Sequence, residues 1–381
     1  MFFCRIISLF FAISVLLSSV PMLKANALSA DDITAPSAVL MESETGRVLY
    51  EKAPHDIRAC ASVTKVMTLI LVMEAVDSGR LKWTDKVVAS AHAASMGGSD
   101  IWLEQGETMT VDEMVKAVTV ASANDAAVAL AETVCGTEEE FVGRMNEKAK
   151  ELGMRDTVFK NCNGLDEEGH VTSAYDVALM SRELIKHEEI FRYSGIWIDE
   201  LRGGKTQLVN TNKLLKTYKG ITGLKTGTTS KAGSCISATA ERDGLSLIAV
   251  VLGSATGKDR FSDAAELLDF GFAGFEMFQP AVPSDAEGRI NVSGGMKDNA
   301  EICVSAGKAV LIEKGRGASV EAETVLPEAV EAPLTKGDVV GRVIYKSGGK
   351  QIAEYPIAAA EDVEKINYSG VLEIFLRSLA G

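Results

Sequence analysis

The spacing of hydrophobic and polar residues changes several times along this 381-residue chain. Residues 38–41 and 47–50 are short β-like runs on either side of a turn-rich segment, and they predict a β-hairpin. Residues 62–76 are almost all apolar or helix-forming and stop at an Asp-Ser-Gly triplet. A helix that is apolar on nearly all sides is expected to be buried.

The next block is predicted to be helical. Thr110 and Glu113 match the capping-box pattern that opens a helix, and Thr137 and Glu140 match it again. Residues 111–152 therefore form a helical block. An Ala-Ser-Ala-Asn-Asp stretch inside it interrupts the apolar pattern with residues that prefer caps and turns. Polar side chains at such a break can face a cleft.

Strand periodicity returns between residues 218 and 255, where apolar runs are separated by turns rich in Thr, Gly and Ser. These runs predict adjacent antiparallel strands, and a helix follows at residues 259–270. Strand material thus lies at both ends of a mainly helical middle. The pattern predicts an α+β domain whose sheet is built from segments that are distant in sequence.

The composition shifts near residues 279–283 and stays rich in Val, Ile and Gly, with frequent turn signals, to about residue 360. We therefore predict a first domain at residues 28–277 and a small all-β domain at residues 283–361. Residues 362–381 are predicted to form one amphipathic helix. Its pattern fits both a membrane-surface anchor and an ordinary docking helix, and no polybasic patch supports anchoring.

The first 27 residues have the order of a targeting segment. Arg5 precedes an apolar run at residues 6–20, and small residues follow at 25–27. This order predicts a cleavable secretory signal at residues 1–27, with an uncleaved N-terminal anchor as the alternative. We therefore expect an exported protein that works outside the cytoplasm, at the outer face of the cytoplasmic membrane.

Charge and cysteine content exclude several classes of function. The formal net charge of −14 argues against nucleic acid as a partner. Cys4 would leave with the signal, and an odd, widely spaced set of five cysteines remains, which is not a disulfide framework. The chain has no CxxC and no HExxH motif. We therefore predict no metal site and no cofactor.

Candidate chemistry begins with the SVTK stretch at residues 62–65. On a helix, Ser62 and Lys65 share one face, and burial would favour the neutral amine that can take the proton of the hydroxyl. The SxxK pattern also occurs at residues 305–308 and 347–350. Those two copies are flanked by glycines in the β domain, whereas the first copy opens a buried helix, where the helix dipole favours a developing anion.

Two further motifs follow in order, Ser122 with Asn124 and the KTGT stretch at residues 225–228. Taken singly, Ser122 and Asn124 could simply cap a helix, and Lys225 could be a solvated residue on an edge strand. Residues 346–348 provide a second Lys-Ser-Gly copy of the third motif. The three motifs together, however, are the signature of penicillin-binding proteins and related β-lactamases.

The chain resembles the low-molecular-mass penicillin-binding proteins that act as serine-type D-alanyl-D-alanine carboxypeptidases. The resemblance covers nearly the whole mature chain and includes the sequences around the three motifs, Asn163-Gly164-Leu165 with His170, and Ala232-Gly233-Ser234-Cys235. It implies a catalytic domain like that of the serine β-lactamases and penicillin-binding proteins, with an antiparallel sheet and a helical cluster. A small all-β domain is expected to follow it.

The resemblance also implies a role for each motif residue. Ser62 would be the acylated nucleophile, Lys65 its general base and Ser122 the proton relay to the leaving group. The backbone N–H groups of Ser62 and Thr228 would form the oxyanion hole. The residues expected to bind the substrate are Asn124, Lys225, Thr226, Gly227 and Thr228. The expected partners are a peptidoglycan stem peptide that ends in D-Ala-D-Ala, which loses its terminal D-alanine, and β-lactam antibiotics, which bind covalently.

Three alternatives remain open from the sequence. A class A β-lactamase shares the motifs, but no Glu-x-x-Leu-Asn string lies between Asn124 and Lys225. A D,D-endopeptidase of the same lineage would use the same residues, and a silent wall-binding module would not need Ser62 and Lys65 together. His170 is expected to be structural rather than a partner of a serine.

A departure from the family pattern lies next to the nucleophile. The family commonly has proline where this chain has Cys60, and Cys235 follows the active-site strand. A disulfide between Cys60 and Cys235 is a hypothesis motivated only by their expected closeness.

Overall fold

Strands form both ends of the described chain and helices its middle. The computed structural model describes residues 28–305 and 307–370, together with Leu372 and Leu376. The helices are α1 (Lys65–Asp77), α2 (Ala91–Ala94), α3 (Val111–Lys116), α4 (Asn124–Cys135), α5 (Glu138–Glu151), α6 (Ala174–Leu184), α7 (Phe191–Ser194), α8 (Leu214–Thr217) and α9 (Gly257–Gly274).

Within the described residues, the strands fall into five sheets. They are β1 (Ser37–Glu42), β2 (Val48–Lys52), β3 (Lys86–Val88), β4 (Thr108–Thr110), β5 (Ile198–Leu201), β6 (Thr206–Val209), β7 (Ile221–Thr229), β8 (Gly233–Arg242), β9 (Leu245–Ser254), β10 (Phe275–Phe278), β11 (Gly288–Ser293), β12 (Asn299–Val304), β13 (Val310–Glu313), β14 (Val320–Val325), β15 (Ala329–Glu331), β16 (Val339–Ser347) and β17 (Lys350–Ala359).

The central sheet joins strands from the two ends of the first domain. Its order is β2-β1-β9-β8-β7, and every neighbouring pair is antiparallel, with Val39 opposite Val250. The predicted hairpin, the three adjacent strands and the α+β class are therefore confirmed. Strand β7 lies at the edge of the sheet, where one side of its backbone can still accept a partner strand.

Helices cover both faces of this sheet. Helix α1 lies among α4, α5 and α6 on one face, and all of its residues from Lys65 to Met73 are buried. Helix α9 packs on the other face against β8 and β9. Burial on both faces explains why β9 is a nearly continuous apolar run rather than an alternating one.

The predicted break in the helical block is present. Thr110 and Glu113 form a complete capping box at the start of α3. A π turn, Ala117–Ala121, follows α3 and ends at Ser122, which has left-handed φ and ψ values of 65° and 28°. Helix α4 then restarts at Asn124. The break therefore takes Ser122 out of the helical conformation and places Asn124 at a new helix start, with both side chains buried.

The C-terminal part of the described chain is all-β, as predicted. Its main sheet has the order β14-β16-β17-β12-β11-β15 around a core that includes Val343, Tyr345 and Ile357. Strand β10 continues directly from α9 and pairs with β13. The predicted boundaries at residues 277 and 283 remain expectations.

The predicted C-terminal helix begins later than the pattern indicated. Residues 362–367 are not helical, because Val363 is buried and exchanges backbone hydrogen bonds with Leu334 in the β domain. Residues 368–370 are helical, and most of the segment beyond them lies outside the described residues. The predicted signal at residues 1–27 lies outside them as well.

The described residues include neither a membrane-spanning helix nor a cluster of metal ligands. None of the helices in this part of the chain is long and apolar enough to cross a membrane. No group of three or more His, Cys, Asp or Glu side chains in it has an arrangement suited to a metal ion.

Candidate active site

Ser62 and Lys65 meet at the start of the buried helix. A 3₁₀ turn, Ala61–Thr64, precedes α1, and the Lys65 Nζ atom lies 3.0 Å from the Ser62 Oγ atom. Ala61 has a φ of 50°, a left-handed value that is uncommon for a residue with a side chain. The backbone is therefore sharply bent immediately before Ser62, which presents its hydroxyl at the positive end of α1.

The surroundings of Lys65 set its protonation state. Its amine donates hydrogen bonds to the Asn124 Oδ1 atom at 2.5 Å and to the Asn163 carbonyl oxygen at 2.6 Å. Complete burial disfavours the charged form and lowers the pKa of Lys65 to about 7. A neutral amine that donates to Asn124 and Asn163 keeps its lone pair directed toward Ser62. The geometry therefore suits proton transfer from the hydroxyl to the amine.

The second motif lies beside the first. The Asn124 backbone N–H donates to the Ser99 carbonyl oxygen at 2.7 Å, and its side-chain amide donates to the Gly97 carbonyl oxygen at 2.6 Å. Asn124 thus contacts both Lys65 and the loop at residues 97–107. Its side chain is held in one orientation from two sides.

The third motif completes the cluster from β7. The Lys225 Nζ atom donates to the Ser122 Oγ atom at 2.9 Å and to the Thr226 carbonyl oxygen at 2.9 Å. Burial lowers the pKa of Lys225 well below its usual value, and the positive charge of Lys65 lowers it further. Two lysines therefore face one small polar cluster with Ser62 and Ser122.

Gly227 allows β7 to approach the nucleophile. A Cβ atom at Gly227 would lie 2.6 Å from the Cys60 carbonyl oxygen and 2.8 Å from the Ser62 backbone nitrogen. A larger residue would therefore push β7 away from Ser62. The close approach places the Ser62 backbone nitrogen beside Gly227, the residue that precedes Thr228 in β7.

Arg260 is a functional candidate that sequence reasoning missed. It is buried on α9, and its Nη1 atom donates to the Gly227 carbonyl oxygen at 2.8 Å and to the Thr228 Oγ1 atom at 2.8 Å. The Thr228 residue itself is exposed, so a guanidinium lies directly behind an accessible hydroxyl. No sequence motif indicates this residue, because the position of α9 relative to β7 depends on the tertiary structure.

The loop at residues 161–168 closes the remaining side of the cluster. A Cβ atom at Gly164 would lie 2.0 Å from the Ala61 carbonyl oxygen, so this glycine is required for contact with the nucleophile turn. Asp166 accepts hydrogen bonds from the Thr229 Oγ1 atom at 2.6 Å and the Ser230 Oγ atom at 3.2 Å. The resemblance had singled out residues 163–165 without assigning them to the site.

His170 is structural, as predicted. Its Nδ1 atom accepts from the Lys160 backbone N–H at 3.0 Å, so its Nε2 atom carries the proton and donates to the Thr64 Oγ1 atom at 2.8 Å. Burial lowers its pKa to about 4 and keeps the ring neutral. The imidazole therefore supports the helix start and contacts neither Ser62 nor Ser122.

The two cysteines near the site are free thiols, so the structure does not support the disulfide hypothesis. The Cys60 thiol contacts the Thr64 hydroxyl at 3.4 Å, and the Cys235 thiol donates to the Ala232 carbonyl oxygen at 3.4 Å. Burial raises the pKa of Cys60 to about 12 and that of Cys235 to about 11. Both thiols are therefore protonated packing groups at neutral pH.

Comparison with known families decides the identity. Residues 24–256 match the D-alanyl-D-alanine carboxypeptidase family, and residues 275–365 match the C-terminal domain of penicillin-binding protein 5. The chain belongs to the D-alanyl-D-alanine carboxypeptidase family. It is a serine-type D,D-carboxypeptidase with a penicillin-binding-protein fold.

Individual relatives agree with this family along most of the chain. D-alanyl-D-alanine carboxypeptidase DacF of Bacillus subtilis is 45% identical over 338 residues, which are 88% of this chain and 87% of DacF. The structure of penicillin-binding protein 5 from Haemophilus influenzae has a TM-score of 0.76 and 31% identity, covering 89% of this chain and all of that one.

A further relative has been solved with an antibiotic bound. The ampicillin-bound structure of penicillin-binding protein D2 from Listeria monocytogenes has a TM-score of 0.58 and 35% identity, covering 63% of this chain and 98% of that one. The family thus includes members that bind β-lactams. The comparisons favour the carboxypeptidase over the lactamase, the endopeptidase and the silent binding module.

Proposed function

We propose that the protein removes the terminal D-alanine of peptidoglycan stem peptides through an acyl-enzyme on Ser62, and that β-lactams acylate the same hydroxyl. One observation carries this proposal. The buried Lys65 amine lies 3.0 Å from the Ser62 hydroxyl and has a pKa of about 7, while a second buried lysine contacts Ser122 beside it.

Acylation begins with proton transfer from the Ser62 hydroxyl to the neutral Lys65 amine. The Ser62 oxygen then forms a bond to the carbonyl carbon of the penultimate D-alanine. The negative charge that develops on the carbonyl oxygen is stabilised by the N–H groups of Ser62 and Thr228. Gly227 supports this assignment, because its lack of a side chain lets the two groups approach each other.

Collapse of the tetrahedral intermediate breaks the peptide bond. The departing amine takes a proton from the Ser122 hydroxyl, and the Lys65 ammonium, which carries the proton taken from Ser62, returns a proton to Ser122. The 2.9 Å contact between Lys225 and Ser122 supports this relay, because the amine orients the serine hydroxyl. Water then attacks the ester on Ser62, with Lys65 again acting as the base, and free enzyme is restored.

Amine, guanidinium and hydroxyl groups at the end of β7 would hold the terminal carboxylate, whose negative charge would favour the protonated form of Lys225 against the effect of burial. Lys225, Thr226 and Thr228 line this end, and Arg260 adds a buried guanidinium behind Thr228. Asn124 would bind the substrate amide, and the exposed edge of β7 would pair with the extended peptide backbone. A substrate with a free C-terminal carboxylate is therefore favoured over an internal peptide bond.

Two measurements on the mature chain test this function. Intact mass after benzylpenicillin should show a stable adduct on Ser62, and a peptide ending in D-Ala-D-Ala should release D-alanine. Rapid loss of the adduct with drug hydrolysis would favour a lactamase instead. A folded sample that forms no adduct would favour the silent binding module.

We also propose that the exported protein works at the outer face of the cytoplasmic membrane and that its C-terminal segment contacts lipid. Ile366, Tyr368, Leu372 and Leu376 are exposed apolar or aromatic residues near the end of the chain. Burying them in the lipid interface would remove this surface from water.

Vesicle flotation tests the membrane contact. The mature chain should float with phospholipid vesicles, and a matched variant that ends at residue 367 should stay in the aqueous fraction while keeping its carboxypeptidase activity. A full mature chain that does not float would refute the contact.

A further inference from the structure

Trp102 is an exposed tryptophan with a strained backbone. It has a φ of 56°, and 77% of its surface is accessible. Among the described residues, few positions other than glycine have positive φ. Two of them are at the catalytic motifs, because Ala61 directly precedes the first motif and Ser122 begins the second. A bulky side chain in this conformation is an outlier that the surrounding structure must enforce, and such outliers cluster at functional sites.

The loop that carries Trp102 is fastened to the second motif. The carboxylate of Asp125, next to Asn124, accepts hydrogen bonds from the Ile101 backbone N–H at 3.1 Å and from the Leu103 backbone N–H at 3.0 Å. The residues on both sides of Trp102 are thus held by one buried carboxylate. The ring is raised out of the loop while its neighbours are fixed below it.

Arg202 fastens the same loop from the opposite side. Its Nη1 atom donates to the Ile101 carbonyl oxygen at 2.8 Å, and its Nε atom donates to the Glu107 carboxylate at 2.7 Å. Arg202 lies in the turn between β5 and β6 and itself has a φ of 55°. The chain after β6 reaches Thr211, whose hydroxyl contacts that of Thr226 at 2.7 Å. The loop therefore contacts the second motif through Asp125. Through Arg202 it also contacts the β5–β6 segment, which continues to Thr211 beside the third motif.

These contacts place the loop that carries Trp102 beside Asn124. The beginning of this loop lies close to the loop at residues 161–168. A Cβ atom at Gly98 would lie 2.9 Å from the Asn124 Nδ2 atom and 3.7 Å from the Leu165 side chain. The loop thus extends along the whole edge formed by Asn124. A peptide whose amide is bound by Asn124 would therefore lie close to this loop.

We infer that Trp102 is a specificity-determining residue whose ring packs against the aliphatic side chain that precedes D-Ala-D-Ala in the peptide. This inference rests on the proposed binding of the substrate amide by Asn124. A rigid indole offers a large apolar face at little cost in conformational entropy, so it suits a flexible methylene chain. The fixed loop keeps that face in place before the substrate arrives.

A pair of substrates and three variants test this role. The substrates are acylated tripeptides that end in D-Ala-D-Ala, with norleucine or glycine at the preceding position. Trp102→Gly removes the ring and accepts the positive φ, and Trp102→Phe keeps an aromatic face. Phe191→Ala is the control, because Phe191 is an aromatic residue that is 40% exposed on α7.

The wild-type chain should prefer the norleucine peptide. Trp102→Gly should lower kcat/KM for that peptide by about tenfold and affect the glycine peptide far less, as loss of one aromatic contact predicts. Trp102→Phe should keep most of the preference, and Phe191→Ala should keep all of it.

Other results distinguish a failure of the role inferred for Trp102 from a failure of the proposed carboxypeptidase function. If the wild-type chain releases D-alanine but Trp102→Gly slows both peptides equally, or neither, Trp102 has no role in specificity. Thermal unfolding of each variant shows whether an equal loss reflects misfolding, and in that case a Trp102→Phe variant without norleucine preference would overturn the inference. If the wild-type chain releases D-alanine from neither peptide, the proposed function itself fails.

Discussion

The same SxxK spacing occurs in the first domain and twice in the β domain, with different results. Ser62 and Lys65 share one face of a buried helix start, 3.0 Å apart. Ser347 and Lys350 are instead a cross-strand pair at a hairpin whose turn contains Gly348 and Gly349. Three residues of separation therefore have no chemical meaning until the local structure is known.

Burial accounts for the chemical difference. Lys65 is fully buried, and its pKa falls to about 7 because the charged amine loses its hydration. The Lys308 side chain is 85% exposed and binds Glu44 at 2.6 Å, which raises the pKa of Lys308 above its usual value. The same residue type thus has the low pKa that suits a general base in one region and is a permanent surface cation in the other.

The largest predicted difference in activity is between substitutions of Ser62 and of Ser347. Ser62→Ala should abolish the covalent penicillin adduct and D-alanine release, because the only proposed nucleophile is removed. Ser347→Ala should keep both activities. Intact mass spectrometry after benzylpenicillin measures the adduct, and an adduct on folded Ser62→Ala would move the nucleophile elsewhere.

Substitutions of Lys65 and Lys350 should differ almost as much in their effect on acylation. Lys65→Arg should lower kcat/KM for acylation by about 10²–10⁴-fold, which is the usual contribution of a general base. Lys350→Ala should have no effect. Acylation rates by stopped flow or mass spectrometry provide the measurement, and equal rates for both variants would contradict the assignment.

The pH dependence of acylation tests whether the pKa of Lys65 differs from that of an exposed lysine. Lys65 accepts a proton only when it is neutral, so acylation by wild-type protein should rise with pH and level off above about 7, where its pKa lies. The rate of acylation by benzylpenicillin from pH 5 to pH 9 provides the measurement. A rate that stays low up to pH 8 and is still rising at pH 9 would show that Lys65 is not the depressed base.

A smaller effect is expected at the third motif and its copy. Lys225→Ala should lower kcat/KM by about tenfold to a hundredfold, since a charged hydrogen bond to the substrate is lost. Lys346, which is bound to Glu323 in the β domain, is the matched control. A carboxamide substrate isolates the carboxylate contribution: the loss should shrink if Lys225 binds the carboxylate, and a loss of the same size would assign Lys225 to the Ser122 relay alone.

The smallest effect is expected at the third SxxK copy. Lys308→Ala removes an exposed ion pair with Glu44, and pairs of this kind contribute little to stability. The Tm and the rate of penicillin acylation should both stay within error of the wild type. A large fall in either would give the contact between the two regions an importance that its exposure does not suggest.

Most of the fold could be predicted because its signals are local. The buried helix, the hairpin and the three adjacent strands each follow from a hydrophobic period that repeats within one element. The C-terminal segment shows the limit of this reasoning. Its apolar spacing fits a helix from residue 362, but pairing of Val363 with Leu334 holds the first residues in an extended form.

By itself, the sequence determined the order of the elements, the three motifs and the residue types at the centre of the site. Only the tertiary structure decided that Lys225 is buried as well as Lys65, and how closely β7 approaches Ser62. It also decided which residues without a motif reach the cluster, as Arg260 and the loop around Trp102 do. The physical reason is that the pKa of an amine and the distance between two motifs depend on packing between segments far apart in the chain.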